Sequence, residues 1–254
     1  MGDRISTFRT RMLAGERLVG TFMKTPAHEL VEVLALSGLD CLCLDAEHAP
    51  FGRRELDSCC AMGRALDLPV LVRVPDASPA AVLQALDAGA VGVVVPHVDS
   101  VAKAEALGRA AHFGRGGRGY AGSTRWAGFA TRAMPDIRAQ DAETVVLAQI
   151  EEPEGVDAAH GIAAAEGIDG LFVGPADLAV GYGADGIGAP EVDAAYEASH
   201  AASRAAGKAL WTWVPDGAAA AKRAGQGVTG FLAASEHAWM LAGARAAAES
   251  IRGA

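Results

Sequence analysis

Eight short runs of β-forming, almost entirely apolar residues recur along the chain, and longer alanine-rich stretches separate them. The runs cover residues 18–23, 40–44, 70–74, 91–95, 144–150, 170–173, 209–214 and 230–233. Unbroken apolarity, rather than alternation, is typical of parallel strands that are buried on both faces. The stretches between them are long enough for helices, and several begin at Ser, Asp or Pro, which favour helix starts. They cover residues 27–36, 55–66, 79–87, 100–112, 156–165, 192–206 and 216–223.

Strand–helix units that repeat without a break in composition predict a single (β/α)8-barrel domain over residues 1–254. An open, doubly wound sheet is the alternative, but its first strand is usually followed by a glycine-rich turn that binds phosphate. Here the first run is followed by Lys24, Thr25 and Pro26. The closed barrel is therefore favoured.

The formal net charge of −9 argues against nucleic acid as a partner, because phosphate binding needs a basic surface. No apolar run approaches the roughly 20 residues of a membrane span, and residues 1–17 lack the apolar core of a secretory signal. The four cysteines form neither a disulfide framework nor a zinc-site spacing, which predicts buried thiols. We therefore expect a cytoplasmic protein without nucleic-acid or membrane partners.

Polar residues at the ends of the apolar runs are the candidates for chemistry, because reacting groups in this fold cluster at the carboxyl ends of the strands. The second, third, fifth and sixth runs carry such residues. They are Asp45, Glu47 and His48 after the second run, Arg73 within the third, Gln149 and Glu151 at the fifth, and Asp177 with Gly174, Pro175 and Ala176 after the sixth.

Glu151 and Asp177 form the natural metal-binding pair. Hard divalent cations prefer carboxylate oxygens and keep positions open for water or substrate. Either acid alone could be a solvated loop residue, but their equivalent positions after adjacent strands favour the metal site. No cluster rich in histidine or cysteine competes for zinc.

Arg73 interrupts an apolar run, where an unpaired guanidinium would be very costly. Its partner is either a substrate carboxylate or an internal acid such as Asp45, and both readings stay open. His48, beside Glu47, can act as a general acid or base near neutral pH. His97 follows the fourth run and is a weaker candidate, and the remaining histidines are interpreted as structural.

The connection at residues 113–143 is long for a compact domain. Its arginine- and glycine-rich segment at residues 115–120 is compatible with anion binding and equally with a flexible surface loop.

Taken together, these residues resemble the HpcH/HpaI family of metal-dependent pyruvate aldolases, and the similarity extends from about Leu18 to about Ala234. The matching segments are residues 44–50 (Leu-Asp-Ala-Glu-His-Ala-Pro), 72–74 (Val-Arg-Val), 86–90 (Leu-Asp-Ala-Gly-Ala), 149–151 (Gln-Ile-Glu) and 174–178 (Gly-Pro-Ala-Asp-Leu). The resemblance implies a barrel of the phosphoenolpyruvate/pyruvate-domain type. It also implies a lyase that joins or splits pyruvate, or a close analogue such as hydroxypyruvate, and an aldehyde.

By this resemblance, Glu151 and Asp177 would bind Mg²⁺, Mn²⁺ or Co²⁺, and pyruvate would chelate the ion. The pyruvate end would be held by Gln149 and by the backbone around Gly174, Pro175, Ala176 and Asp177. Arg73 would stabilise the enolate oxygen. His48, oriented by Asp87, would move the proton of the aldol hydroxyl, with Asp45 and Glu47 supporting these groups from behind. Family members assemble as hexamers, trimers of dimers, that exchange the C-terminal helix.

The sequence departs from the family where the second substrate would lie. Phe22 stands where members commonly have Trp, residues 209–213 are bulkier than usual, and residues 123–129 fall in the variable long connection. Trp213 is expected either beside the pyruvate methyl or aldehyde pocket or in barrel packing. The acceptor aldehyde, the stereochemistry and the pathway are left open.

Three alternatives remain open. A Schiff-base aldolase needs an amine at the barrel mouth, and of the four lysines only Lys24 follows a strand. A citrate-lyase-like enzyme would cleave an acyl-CoA ester, but no basic groove for CoA is evident. A non-catalytic barrel would not explain why acids, His48 and Arg73 converge at one rim.

Overall fold

The computed structural model describes residues 3–253, in which eight parallel strands close into a barrel. Each strand pairs with the next in sequence, and the eighth pairs with the first. The strands are β1 Leu18–Met23, β2 Cys41–Asp45, β3 Val70–Arg73, β4 Gly92–Val95, β5 Val145–Ile150, β6 Gly170–Val173, β7 Ala209–Val214 and β8 Gly230–Ser235. The predicted closed barrel is confirmed, and the doubly wound alternative is wrong.

Helices follow the strands around the outside of the barrel. They are α1 Arg4–Leu13, α2 His28–Ala35, α3 Arg53–Ala65, α4 Pro79–Ala88, α5 Val101–Ala111, α6 Met134–Gln140, α7 Pro153–Asp157, α8 Ala159–Ala164, α9 Pro175–Gly181, α10 Pro190–Ala206, α11 Gly217–Gly225 and α12 Glu236–Arg252. The single helix predicted over residues 156–165 is wrong in detail, because α7 and α8 meet at Ala158 as two short helices. The alternation pattern gives no sign of α1, α6 or α9.

Helix α1 closes the amino-terminal end of the barrel. Phe8 and Met12 are buried in the same cluster as the side chains of the barrel interior. The Phe8 ring meets Trp211 edge-on at 6.1 Å, and a Cβ on Gly230 would lie only 2.0 Å from that indole. Only glycine at position 230 leaves room for this packing. The opposite, carboxyl-terminal end of the barrel is left to form a site.

All four cysteines are buried and free, as predicted. Burial raises the pKa of Cys59 to about 11 and that of Cys60 to about 12, so both remain thiols near neutral pH. Among the described residues, no helix combines the length and apolarity that a bilayer span requires.

Part of the long connection at residues 113–143 is packed rather than loose. Arg118 is buried between the rings of Phe113 and Trp126, with its Cζ atom 4.9 Å from each ring centroid. Its guanidinium donates a 2.6 Å hydrogen bond to Asp87. This arginine of the glycine-rich segment therefore binds an internal carboxylate and anchors the connection to α4.

Candidate active site

A cavity of about 460 Å³ opens at the carboxyl ends of the strands. Eight residues singled out from the sequence line it: His48, Arg73, Gln149, Gly174, Pro175, Ala176, Asp177 and Trp213. The remaining lining residues include Phe22 and Lys24 from β1 and its following turn, and Ser235 and Ala238 from the β8–α12 junction. The strand-end rule therefore brings residues from distant parts of the chain to one place.

Arg73 is held by Asp45, its register partner on the neighbouring strand. The Nε atom donates to Asp45 Oδ1 at 2.9 Å, and Nη2 lies 2.8 Å from Oδ2. Lys24 Nζ lies 2.9 Å from the same Oδ2 atom. The angles at Oδ2 do not meet the geometry of a hydrogen bond, so these contacts are electrostatic. Burial alone would raise the pKa of Asp45, but the charges of Arg73 and Lys24 outweigh it and lower that pKa.

Two further contacts restrain the orientation of the Arg73 guanidinium. Its Cζ atom lies 4.4 Å above the centroid of the Phe22 ring, and its Nε atom lies 3.3 Å from Glu47 Oε2. The internal salt bridge considered from the sequence is thus present. Because Arg73 also lines the cavity, the same guanidinium remains able to meet an anionic substrate.

Glu151 follows β5 and is 3% exposed. Its Oε2 atom accepts a hydrogen bond from the Gln149 amide, and its Oε1 atom accepts one from the backbone N–H of His97 at 2.7 Å. A Cβ on Gly174 would lie 2.9 Å from the Cβ of Glu151 and 3.2 Å from its Oε2. Burial raises the pKa of Glu151, and the nearby charge of Asp177, in the first turn of α9, raises it further.

His97 has a larger part in the site than its sequence position alone indicated. Its Nδ1 atom lies 3.2 Å from Glu151 Oε1, and its Nε2 atom lies 3.6 Å from Glu47 Oε1. One ligand atom from each of these three side chains lies within 4.8 Å of the others. The signal was present, because His97 follows β4 as the other candidates follow their strands, but a lone histidine carries little weight without its neighbours.

His48 is exposed at the cavity wall. Its backbone N–H donates to Asp45 Oδ1 at 3.2 Å, and its Nε2 atom lies 3.7 Å from Glu47 Oε2. Asp87 does not join it within the chain, because its carboxylate pairs with Arg118. Orientation of His48 by Asp87 therefore stays a prediction.

Trp213 packs against the barrel interior and also lines the cavity, so its place beside a bound substrate stays a prediction. Its indole Nε1–H donates to the carbonyl oxygen of Ala234 at 3.0 Å, which ties β7 to the end of β8. The ring also lines the cavity beside Pro215. It thus forms a bulky part of the cavity wall, next to the strand that precedes Asp177.

The acidic residues fit a divalent cation. Burial raises the pKa of Glu47 as well as that of Glu151, and for Glu47 the charge of Arg73 offsets only part of that effect. The side-chain oxygens Glu47 Oε2 and Gln149 Oε1 are buried without a hydrogen-bond partner. Glycine at position 174 keeps the space beside Glu151 open. Oxygen donors in an open setting are what Mg²⁺ and Mn²⁺ prefer.

Comparison with known proteins supports the same chemistry. The sequence profile of the HpcH/HpaI aldolase/citrate lyase family matches residues 18–241. The hydroxypyruvate/pyruvate aldolase of Pseudomonas aeruginosa is 37% identical over 81% of this chain and 77% of its own. The 4-hydroxy-2-oxovalerate aldolase of Rhodococcus jostii is 34% identical over 85% and 84% of the two chains. The crystal structure of a family protein from Burkholderia cenocepacia superposes with a TM-score of 0.91 at 34% identity, covering 97% of this chain and 99% of that one.

Proposed function

Because the chain belongs to the HpcH/HpaI aldolase/citrate lyase family, we propose that it cleaves and forms 4-hydroxy-2-oxo acids. It is an aldolase and therefore a carbon–carbon lyase. Pyruvate, or a close analogue such as hydroxypyruvate, is the enolate component, and an aldehyde is the acceptor. The observation that carries the proposal is that Arg73, fixed by Asp45, shares one cavity with Gln149 and Asp177.

Glu151 and Asp177 would hold the divalent ion, which is Mg²⁺, Mn²⁺ or Co²⁺. When bound, such an ion polarises the keto group of pyruvate and absorbs negative charge that develops on its oxygen. Gln149 keeps the Glu151 carboxylate turned toward Gly174 through its amide hydrogen bond. Burial of Glu151 and the neighbouring charge of Asp177 make a dication favourable there.

The pyruvate end would lie against Gln149 and the backbone of Gly174, Pro175 and Ala176. Cleavage of the carbon–carbon bond next to the carbonyl leaves an enolate, and the Arg73 guanidinium stabilises its oxygen. His48 takes the proton from the aldol hydroxyl as the bond breaks and returns it on the reverse path. Asp45 positions Arg73 and the backbone of His48, and Glu47 lies beside both side chains.

Assembly is part of the proposal. Arg118 bonds to Oδ1 of Asp87, which leaves Oδ2 able to contact another group, and we propose that an Asp87 from another copy of the chain orients His48. Apolar side chains on α12, including Trp239, Met240 and Leu241, are exposed, which supports burial against a neighbouring subunit. We propose a hexamer, a trimer of dimers, in which α12 is exchanged.

The working environment remains a prediction. The net charge of −9 argues against nucleic acid as a partner, and the family relationship supports pyruvate and an aldehyde as the small-molecule partners. A cytoplasmic location without membrane partners is proposed on the same sequence grounds as before.

The decisive experiment combines two assays with and without a chelator. We expect metal-dependent exchange of deuterium into the methyl group of pyruvate, and metal-dependent release of pyruvate from a 4-hydroxy-2-oxo acid. Glu151→Gln should abolish both. Turnover of CoA thioesters alone would instead favour a citrate-lyase-like enzyme, and activity untouched by chelation and by Glu151→Gln would show that the site is wrong.

The lysine-based alternative has its own test. Lys24 lines the cavity, but its Nζ atom lies 2.9 Å from Asp45 Oδ2, and this contact holds the amine against a carboxylate instead of leaving it free to attack a carbonyl group. Borohydride treatment in the presence of pyruvate should leave no adduct. A stable adduct at Lys24 would replace the metal mechanism with a Schiff base.

A further inference from the structure

We propose that His97 supplies a nitrogen ligand to the divalent ion at Glu151, with Glu47 as a third protein group around that ion. This proposal rests on the metal dependence proposed above. It adds to the predicted pair Glu151 and Asp177 a donor of a different chemical type, and it changes Glu47 from a supporting residue to one that faces the ion.

The spacing of the three side chains suits a metal centre. Ligand atoms at about 2.1 Å from an octahedral ion stand about 3.0 to 4.2 Å apart, depending on whether they are adjacent or opposite. His97 Nδ1 lies 3.2 Å from Glu151 Oε1, which is within this range. The 3.6 Å contact with Glu47 Oε1 is made by the other ring nitrogen, Nε2, and one ion can be bound by only one of the two nitrogens. All three groups offer an atom within 4.8 Å of the others. Small side-chain movements are therefore enough to place the three donors around one ion.

The backbone holds His97 against Glu151. His97 has a φ of +56°, a left-handed conformation that is uncommon for residues other than glycine and is concentrated at functional sites. In this conformation its N–H donates to Glu151 Oε1 at 2.7 Å. The next residue, Val98, donates to the carbonyl oxygen of Gln149 at 3.3 Å. Two hydrogen bonds thus fix the turn after β4 to the end of β5.

The acidic side chains around His97 carry negative charge that the neighbouring cationic groups only partly balance. Glu151 and Glu152 lie on the Nδ1 side of the imidazole, each with an oxygen 3.2 Å from that atom, and Glu47 lies on the Nε2 side. The Glu151 side chain is 2% exposed and that of Glu47 is 10% exposed, and Glu47 Oε2 is buried without a hydrogen-bond partner. Arg73 offsets part of the charge of Glu47. The imidazole itself is 56% exposed, so it can turn one nitrogen toward an entering ion.

A nitrogen donor changes which ion the site prefers. Imidazole binds transition metals such as Co²⁺ more strongly than it binds Mg²⁺, whereas an all-oxygen site does not discriminate in this way. We therefore expect the ratio of Mg²⁺ to Co²⁺ dissociation constants to be larger for the wild-type protein than for a variant that lacks the imidazole.

The test uses Mn²⁺ alone, bound to the full-length protein without substrate, and pulsed electron paramagnetic resonance. A directly bound imidazole gives a nitrogen nuclear modulation in the Mn²⁺ signal, and we expect it in the wild-type protein. His97→Asn should remove it, and asparagine suits this test because it tolerates the left-handed backbone. His48→Asn is the matched control, and it should retain the modulation.

Isothermal titration supplies a second measurement that does not depend on turnover. His97→Asn should weaken Co²⁺ binding about 10- to 100-fold and change Mg²⁺ binding much less. A thermal melt of each metal-free variant checks that the fold is intact.

The outcomes separate the two proposals. Mn²⁺ bound without nitrogen modulation in the wild-type protein, or modulation that survives His97→Asn, overturns the assignment of His97 while the metal site itself stands. Tighter metal binding by His97→Asn also overturns it and makes the imidazole a competitor for the ion. Failure of the wild-type protein to bind Mn²⁺, Co²⁺ or Mg²⁺ overturns the proposed metal dependence and this inference together.

Discussion

At the scale of single residues, the site depends on a glycine, Gly174, whose lack of a side chain leaves room for Glu151. Gly174 has a φ of −94°, so alanine would suit its backbone. The obstacle to alanine is Glu151, whose Cβ would lie 2.9 Å from the new methyl group. Glycine is therefore needed at this position to leave space for the Glu151 side chain, and not to allow an unusual backbone conformation.

Gly174→Ala should lower kcat/KM for pyruvate release about 10- to 100-fold, because displacing Glu151 by a fraction of an ångström misplaces the proposed metal ligand. Steady-state kinetics at saturating Mn²⁺ would measure this, and the melting temperature should change little. Gly186→Ala is the control, since a Cβ there meets nothing within 4 Å. Equal kinetics for both variants would contradict the role assigned to Gly174.

Arg73→Lys keeps the positive charge but loses the flat, two-pronged contact with Asp45 and the stacking on Phe22. We expect deuterium exchange into pyruvate to fall about 100- to 1,000-fold, the cost of losing one charge-stabilising donor in a transition state. Proton magnetic resonance of the pyruvate methyl group follows this exchange. Exchange at the wild-type rate would reassign Arg73 to a structural role.

The sequence rule for site residues works because a parallel barrel places all strand ends at one rim. That rule predicts that His48, Arg73 and Gln149 share one rim, and all three line the same cavity. It could not rank His97, because the contacts of that imidazole with Glu47 and Glu151 depend on a left-handed turn that periodicity does not encode.

At the scale of elements, the junction of β8 and α12 is tied to the end of β1 by one buried acid. Glu236, 3% exposed, begins α12, and its Oε1 atom accepts backbone hydrogen bonds from Lys24 at 2.8 Å and Thr25 at 2.6 Å. The junction thereby positions Lys24 at the cavity. Sequence patterning could not identify this contact, since the partners are more than two hundred residues apart.

Glu236→Ala should lower the free energy of unfolding by about 2 kcal/mol, because two backbone N–H groups lose a charged acceptor. Urea denaturation followed by circular dichroism would measure the loss. Glu249→Ala, at an exposed position of the same helix, provides the comparison and should cost much less. Equal losses for the two variants would show that the effect belongs to the helix rather than to the contact.

The elements themselves were predictable to different degrees. Strands buried on both faces have a continuous apolar signal, and the bounds predicted for β1, β6 and β7 coincide with the structure. Helix α1 has no such signal because it lies outside the strand–helix repeat and packs only Phe8 and Met12 into the barrel end. The division of residues 156–165 into α7 and α8 is likewise a result of tertiary packing.

At the scale of the whole molecule, an ion pair links α5 to the far end of the long connection. His112, at the end of α5, lies with its Nδ1 atom 3.3 Å from Asp141 Oδ2. Burial would lower the pKa of His112, but the bond to Asp141 and its charge outweigh it, and the pKa is raised above its usual 6.5. The charged form is thus favoured by folding.

Because the folded pKa of His112 is the higher one, its contribution to stability is complete below the unfolded pKa and disappears as the pH rises through the folded value. His112→Asn should therefore lose more stability at about pH 5.5 than at about pH 8.5. Urea denaturation at both pH values measures this difference. His160→Asn, exposed on α8, should show no such trend, and a loss for His112→Asn that is independent of pH would contradict the linkage.

The proposed assembly is also a property of the whole molecule. Trp239, Met240 and Leu241 leave an apolar surface on α12 exposed in the single chain. Analytical ultracentrifugation should give the mass of a hexamer, six times 25.9 kDa, and replacing the three residues by Ser should yield smaller species. A wild-type monomer would contradict the exchange of α12 and remove the proposed source of Asp87 for His48.

The closed barrel could be predicted from the sequence because every strand–helix unit shows the same pattern, a continuously apolar strand followed by a helix that covers it. Sequence patterning could not predict that Asp87 pairs with Arg118, since the long connection returns to α4 through packing of Trp126 and Phe113. The proposed contact of Asp87 with His48 would join two copies of the chain, and the pattern of a single sequence does not encode such a contact.

The residues that line the cavity come from two different parts of the barrel rim. The ends of β2, β3, β5 and β6 carry the groups assigned to enolate formation, whereas Trp213, Ser235 and Ala238 line the cavity from β7, β8 and α12. If the aldehyde lies against these three residues, as we propose, a mutational library confined to them should change which aldehydes are accepted while deuterium exchange into pyruvate persists.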